Sequence, residues 1–279
     1  MAGMNLISRS VNILRNDGPI EFLYAVCRFI YYNLNIRTAY LKIRHQISGN
    51  KSVVSINKST ATMQTRTFSE YKRFYDLMGE EGILSDVLME ISSDDVFYDI
   101  GANVGLYSCM VGVAASDCDV LCFEPHPNNM RSLKENMEEN SLTAEYFSLA
   151  LANENSTLKL SSDNAEAGFG RHALDTKDSS STVAVDVRQL DSLRSDNKLP
   201  IPTVVKIDVE GAELEVIKGA LDTFSNSRCR VIYCEVHPER MKSFGGNYDE
   251  LRDCLRNLGF EIEIIDGNVG KYSMIKATK

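Results

Sequence analysis

The chain of 279 residues predicts an α/β fold: a doubly wound, mainly parallel sheet with an antiparallel closing strand, preceded by an N-terminal helical extension. Three observations predict it. Apolar runs of strand length at 96–100, 120–125, 145–149, 204–209 and 231–236 alternate with helix-period segments. The first of these runs leads into Asp99, Gly101, Asn103 and Gly105, the punctuation of a strand, a tight turn and a helix. The runs 260–265 and 271–276 are joined through Asp266-Gly267-Asn268 and read as a terminal hairpin.

Taken in order, the chain opens a helix at Asp17-Gly18-Pro19, where Pro19 suits the first helical position. Ile20–Ile36 is mostly apolar, interrupted by Glu21, Arg28, Asn33 and Asn35. A run of about 15 residues with two charges falls short of the ~20 apolar residues that span a bilayer. Two roles stay open for residues 19–44. One is a peripheral membrane contact, with Tyr24, Tyr31 and Tyr32 at headgroup depth and Arg37, Lys42 and Arg44 beyond. The other is a helix packed on the body or in a homodimer. The Ser/Asn-rich stretch 46–62 reads as a linker, which divides the chain into a 1–62 extension and a 63–279 catalytic domain. Two helices, 68–77 and 80–91, precede the first strand.

Charge is unevenly spread. The net value is −9, yet residues 1–60 carry eight Lys/Arg against Asp17 and Glu21, for +6. The remaining 22 basic and 37 acidic residues leave −15 on the body, which argues against a nucleic-acid partner. Seven cysteines without a C-x-x-C do not form a disulfide framework, and Cys109, Cys122 and Cys234 fall in apolar runs as reduced core residues. With no cleavable signal pattern at the start, the expected location is the cytoplasm, at the inner face of the membrane if the extension binds lipid.

The chemistry begins at the glycine turn. Gly101 lets the backbone turn sharply as it leaves the strand, and Gly105 lets the helix approach a ligand. The spacing departs from the dinucleotide fingerprint, and Asp99 at the strand end would repel a pyrophosphate. A carboxylate there suits S-adenosylmethionine, which carries an ammonium, a sulfonium and a ribose. Glu124, 23 residues past Gly101 at the end of the second strand, is placed to grip the ribose diol with two acceptor oxygens. Pro125-His126-Pro127 then starts a helix with Asn128 or Asn129 as cap. The third strand ends at Ala150-Leu151, where a small residue can flank an adenine. An inserted hairpin follows, 157–160 and 182–187, and its loop 161–181 holds Phe169, Arg171 and His172. The last two parallel strands end in Asp208-Val209-Glu210-Gly211 and Glu235-Val236-His237-Pro238, which brings these groups to one sheet edge.

Four blocks, DIGANVGLYS (99–108), FEPHPNN (123–129), KIDVEGAELEVIKG (206–219) and EVHPE (235–239), resemble the FkbM-type S-adenosylmethionine-dependent methyltransferases in sequence and order, over about residues 80–279. The resemblance implies a Rossmann-like class I methyltransferase fold and O-methyl transfer, often to sugars or polyketide-type hydroxyls. By it, Asp99, Gly101, Asn103 and Gly105 hold the methionine end of S-adenosyl-L-methionine and Glu124 holds the ribose; Pro125 beside Glu124, and Ala150 flanking the adenine, complete the expected cofactor-binding set. The Asp208–Gly211 turn, with Glu210, faces the methyl group, and Glu81 in GEEGIL closes over the cofactor. The first 60 residues lie outside the resemblance.

Methyl transfer from a sulfonium is an in-line displacement, so alignment is the main task, and a hydroxyl acceptor benefits from a base. His237 is the first candidate base, because its ordinary pKa lies near neutrality. Asp208 is the second, as base or as an acceptor orienting the hydroxyl. A divalent metal on Asp208, Glu210, Glu235 and His237 is conceivable, but strand-end acids more often bind cofactor or cap helices, so no metal is expected. A carboxylate acceptor, as in a uronic acid, needs no base. The chain lacks an Asn/Asp-Pro-Pro-aromatic motif after the 204–209 strand, which counts against amine methylation. The expected function is O-methylation of a hydroxyl or carboxylate of a sugar in a glycan or lipid-linked saccharide. Two alternatives stand beside it: a catalytically silent fold used as a binding or scaffold module, opposed by the intact Asp99, Gly101 and Glu124, and a nicotinamide-dependent oxidoreductase, opposed by the glycine spacing.

Overall fold

The computed structural model describes residues 36–161, 182–268 and 272–279. The expectations for residues 17–35, including Tyr24, Tyr31 and Tyr32, and for Phe169, Arg171 and His172 lie outside the described residues. The chain divides into two units, 1–50 and 51–279. In the first, helix α1 (Ile36–Ile47) ends on Arg44 and His45, cations that suit the negative end of a helix dipole.

The second unit begins where a linker was expected. Residues 51–64 form a hairpin instead: β1 (Lys51–Ile56) pairs antiparallel with β2 (Ser59–Gln64) across Asn57, whose φ of +55° suits the tight turn. Ser and Thr conceal a period-two pattern whose apolar members Val54, Ile56, Ala61 and Met63 are buried. The edge of β2 is satisfied by side chains of a body helix, since the Thr62 and Gln64 amides donate to Asn140 Oδ1 (2.8 Å) and Asn136 Oδ1 (2.6 Å). The division between units therefore falls at Asn50/Lys51.

Helix α2 (Phe68–Asp76) starts on a capping box in which Thr67 and Glu70 satisfy each other's backbone amides. Helix α3 (Glu81–Glu90) follows and buries Ile83, Leu84 and Val87. The main sheet then builds from β3 (Val96–Ile100), β4 (Asp119–Phe123), β5 (Glu145–Phe147), β9 (Val204–Ile207), β10 (Val231–Val236), β11 (Glu261–Gly267) and β12 (Ser273–Thr278), in the order β11-β12-β10-β9-β3-β4-β5. Neighbours among β5, β4, β3, β9 and β10 run parallel, and β12 is antiparallel to both β10 and β11. Strands buried on both faces explain the unbroken apolar runs, such as Val96–Ile100. Helices α4 (Leu106–Ala114) and α5 (Pro127–Glu139) cross between the early strands, α6 (Leu190–Asn197) precedes β9, and α7 (Glu213–Lys218) follows it.

The third strand stops at Phe147 rather than Leu149. Ala150 and Leu151 leave the main sheet as β6 and pair with β8 (Thr182–Arg188), which also pairs antiparallel with β7 (Ser156–Ser161). The inserted hairpin thus forms a three-stranded sheet with β6. The cap of α5 also differs from expectation: His126 Nδ1 accepts from the Asn128 amide at 3.3 Å, with Pro127 in the first turn. Strand order reverses between β3 and β9, and the carboxyl ends of strands at such a switch point are where open α/β sheets bind ligands. Among the described residues the six cysteines are free, and Cys109, Cys122 and Cys234 are buried.

Candidate active site

The turn after β3 is held from two sides. The Gly101 and Ala102 amides both donate to Phe123 O at the end of β4 (2.9 and 3.1 Å). Gly101 has φ +77°, and a Cβ there would lie 1.8 Å from the Asp208 carbonyl oxygen, so the close passage of the β9 end requires glycine. Gly105 differs from its expected role. It caps α4 at φ +85°, and a Cβ would sit 3.1 Å from Leu133 of α5, so its small size serves helix packing rather than approach to a ligand.

Gly101, Asn103, Glu124, Pro125, Ala150, Asp208 and Glu210 line a cavity of about 440 Å³ at the switch point. Its apolar wall comes from Leu149, Leu151, Val187, Val209 and Phe244. Glu124 is buried, and its carboxylate accepts from the Asn103 amide (2.8 Å), the His126 amide (2.8 Å) and Asn129 Nδ2 (3.4 Å). Burial pushes its carboxyl up to about 7 despite those donors. Asn103 Oδ1 is buried without a hydrogen-bond partner. Asp99 lies beneath the turn, fully buried, with Oδ2 held by Ser108 Oγ at 2.6 Å and Oδ1 lacking a hydrogen bond. Glu81 is exposed and does not line the cavity. The buried acid of this turn is its neighbour Glu80, 3.5 Å from Arg73 Nη2.

Beyond Asp208 lies a dense set of charges that the sequence reading only half anticipated. Lys206 is buried inside β9, its Nζ donating to Gly101 O (2.8 Å) and standing 3.4 Å from Asp99 and 3.5 Å from Asp208. Burial pulls its pKa down, but the two carboxylates outweigh that and leave it above the ordinary value. A lysine inside the otherwise apolar VVKI strand was the signal for this role. His237 is gripped from both ring nitrogens. Nδ1 meets Glu213 Oε1 at 2.8 Å, and Nε2 meets Glu235 Oε1 at 3.2 Å and Glu210 Oε2 at 3.4 Å. Burial lowers its pKa, yet Glu213 and Glu235 raise it to about 10. The imidazole is therefore protonated at neutral pH and has no lone pair to take a proton, contrary to its ranking as first base. Glu235 moves the other way, its carboxyl raised by burial and by Asp208, with His237 opposing. Glu210 also forms an ion pair with Arg240. Asp208, Glu235 and His237 bring one donor atom each within 4.8 Å of one another, close enough for a small cation. Glu213, which orients His237 and accepts from the Gly211 amide (2.9 Å), carried no signal in the sequence beyond being an acid at a helix start.

The Asn103 oxygen without a hydrogen bond, the bidentate carboxylate of Glu124 and the apolar wall fit a ligand with a vicinal diol and a flat aromatic base, as S-adenosylmethionine has, while Asp99, paired with Lys206, supports the turn from beneath. This sheet order, with its reversed terminal hairpin and a site at the switch point, defines a Rossmann-like α/β enzyme. A family model described as the methyltransferase FkbM domain matches residues 99–262, and the chain belongs to that family. It is a methyltransferase, and S-adenosylmethionine is its methyl donor. Among curated proteins it is 28% identical over 185 residues to the hexuronic acid methyltransferase AglP of Haloferax volcanii, covering 66% of this chain and 74% of that one. It is 27% identical over 206 residues to the AMB antimetabolite synthetase AmbE of Pseudomonas aeruginosa, covering 61% of this chain and 10% of that protein. The solved FkbM methyltransferase of Methylobacillus flagellatus aligns with a TM-score of 0.48 and 15% identity, covering 70% of this chain and 46% of that one.

Proposed function

We propose that the enzyme O-methylates a hydroxyl of a sugar in a glycan or lipid-linked saccharide. The observation that carries this reading is the convergence of the Asp208 and Glu235 carboxylates beside protonated His237 at the switch point. When bound, S-adenosylmethionine supplies a methyl group on a sulfonium, a good leaving group for in-line displacement. The chain's own residues do the rest. Asp208, on the turn that lines the cavity, accepts the acceptor hydroxyl's hydrogen bond and orients its oxygen. Glu235, with its raised pKa, receives the proton as the oxygen commits to the methyl carbon. His237 holds Glu235 and Glu213 in place, and Glu210, tied to Arg240 and His237, fixes the turn. Asp99, Gly101, Asn103, Glu124, Pro125 and Ala150 are assigned to the cofactor, with Gly105 packing the helix behind them.

The haloarchaeal relative is named for hexuronic acid, which supports a saccharide acceptor and also favours a second reading, a uronic carboxylate. That nucleophile is already ionised and needs no base. Transfer of labelled methyl from S-adenosylmethionine to neutral and to uronate-bearing oligosaccharides distinguishes them. With a hydroxyl acceptor, Glu235→Gln lowers kcat by ~10²-fold or more while cofactor affinity holds. A rate within severalfold of wild type on a uronate establishes the second reading, and no transfer to any saccharide overturns both.

Placement at a lipid surface is proposed through residues 19–44, whose described end is α1. Ile36, Tyr40, Ile43 and Ile47 recur at helical spacing and are exposed, among Arg37, Lys42 and Arg44 and no acid. No described helix is long and apolar enough to cross a membrane. The full chain is expected to float with anionic vesicles in a salt-sensitive way. A dimer that ignores vesicles would assign this segment to self-association.

A further inference from the structure

We infer that Arg73 and Glu80 form a receptor for the zwitterionic amino-acid end of the cofactor, Arg73 taking the carboxylate and Glu80 the ammonium. The inference rests on S-adenosylmethionine being the methyl donor and adds two residues that lie upstream of the family match at 99–262.

Arg73 projects from α2 and is 7% exposed. Its Nε is buried and has no hydrogen-bond partner among the described residues, and its one close acid, Glu80, stands 3.5 Å from Nη2. That distance is longer than a charge-assisted hydrogen bond, and a single oxygen leaves the guanidinium fork half used. A buried ion pair kept for stability alone gains by closing and by saturating its donors, because desolvation of both charges must be offset. This pair does neither. A planar carboxylate lying across Nε and Nη2 would complete the fork, and an ammonium would do the same for Glu80.

Position selects which zwitterion. Arg73 and Glu80 share an electrostatic neighbourhood with Tyr107, Asp208 and Glu235. Tyr107 is the second residue of α4, directly after the glycine turn, and its ring lies under Lys206 Nζ at 5.4 Å. The pair therefore stands on the Asp208 side of the turn, while Glu124 stands at the end of β4 on the other side. A ligand with its ribose at Glu124 and its sulfonium near Asp208 directs its remaining arm past the cavity lining toward Arg73 and Glu80, which lie outside that lining. A uronic acid carries an anion but no cation, and so would leave Glu80 facing a like charge.

Calorimetry with S-adenosylhomocysteine and with 5′-methylthioadenosine tests the assignment, because the second ligand keeps the adenosine and thioether but lacks the amino-acid arm. Arg73→Gln is expected to weaken S-adenosylhomocysteine tenfold or more and to leave 5′-methylthioadenosine within twofold. Glu80→Gln is expected to show the same selectivity. Equal weakening of both ligands, or no change in either, overturns the inference, as does an effect confined to the acceptor's KM. If Arg73→Gln does not fold, Arg73→Lys is judged by the same ratio, since it keeps the charge and loses the fork. Failure of the wild-type chain to bind S-adenosylhomocysteine would instead overturn the cofactor reading itself.

Discussion

The two sides of the switch point hold carboxylates by opposite means. At the end of β4, Glu124 is held by neutral donors, two backbone amides and the Asn129 side chain. At the ends of β3, β9 and β10 and in the turns that follow, Asp99, Asp208, Glu210, Glu213 and Glu235 are interleaved with Lys206, His237 and Arg240. Neutral donors leave burial unbalanced, so the Glu124 carboxyl is pushed up to about 7 and its charge can respond to a ligand. Interleaved ions hold one another in position, which suits an edge where an oxygen, a carbon and a sulfur must be aligned. The first arrangement suits exchange of a ligand and the second suits a fixed geometry.

The most severe way to break the contrast is to remove the central cation. Lys206→Met leaves Asp99 and Asp208 buried or half-buried without their shared positive partner. Breaking a buried ion pair by removing one member costs about 3–5 kcal/mol. Chemical denaturation should show a loss on that scale, or no folded protein at all. Stability within 1 kcal/mol of wild type, roughly the worth of a surface pair, would show that the ion lattice is not what holds this edge.

A smaller effect is expected on the other side. Glu124→Gln keeps the shape but loses charge-assisted hydrogen bonds, each worth roughly 1.5–3 kcal/mol. S-adenosylhomocysteine should bind about tenfold or more weakly in calorimetry, with the fold intact. Unchanged affinity would remove Glu124 from the ribose site.

The gentlest test is pH. In the fold Glu124 titrates near 7, against an ordinary value of 4.5, so between those values the folded chain holds a proton that the unfolded chain has released. Its contribution therefore favours the fold at low pH and is lost as pH rises from 4.5 through 7. Melting curves across that window should show Glu124→Gln gaining on wild type with rising pH. A constant difference between the two would mean that the donors, not burial, set the charge of Glu124.

Much of the body could be read from local pattern. Val96–Ile100 announced a strand, and Asp99 to Gly105 a ligand turn, while the capping box of Thr67 and Glu70 went unread although its spacing was there to see. The β1–β2 hairpin was legible in principle, since Val54, Ile56, Ala61 and Met63 alternate, but Ser and Thr made it resemble a linker. Between the adjacent acids Glu80 and Glu81, sequence alone had no means to choose, because the start of α3 decides which of the two faces inward.

By itself the sequence determined the strand and helix order, the glycine turn, and the places of Glu124, Asp208 and His237 at strand ends. Those features rest on short-range causes: periodicity, φ preferences and turn chemistry. Only the tertiary structure decided who pairs with whom. Asp99 and Lys206 lie in register on neighbouring parallel strands, and Lys206 reaches Gly101 across 105 residues of chain. Glu213 on α7 meets His237 after β10 and turns a candidate base into a fixed cation. The charge state of a buried side chain depends on its neighbours within a few ångströms, and here those neighbours are distant in the chain.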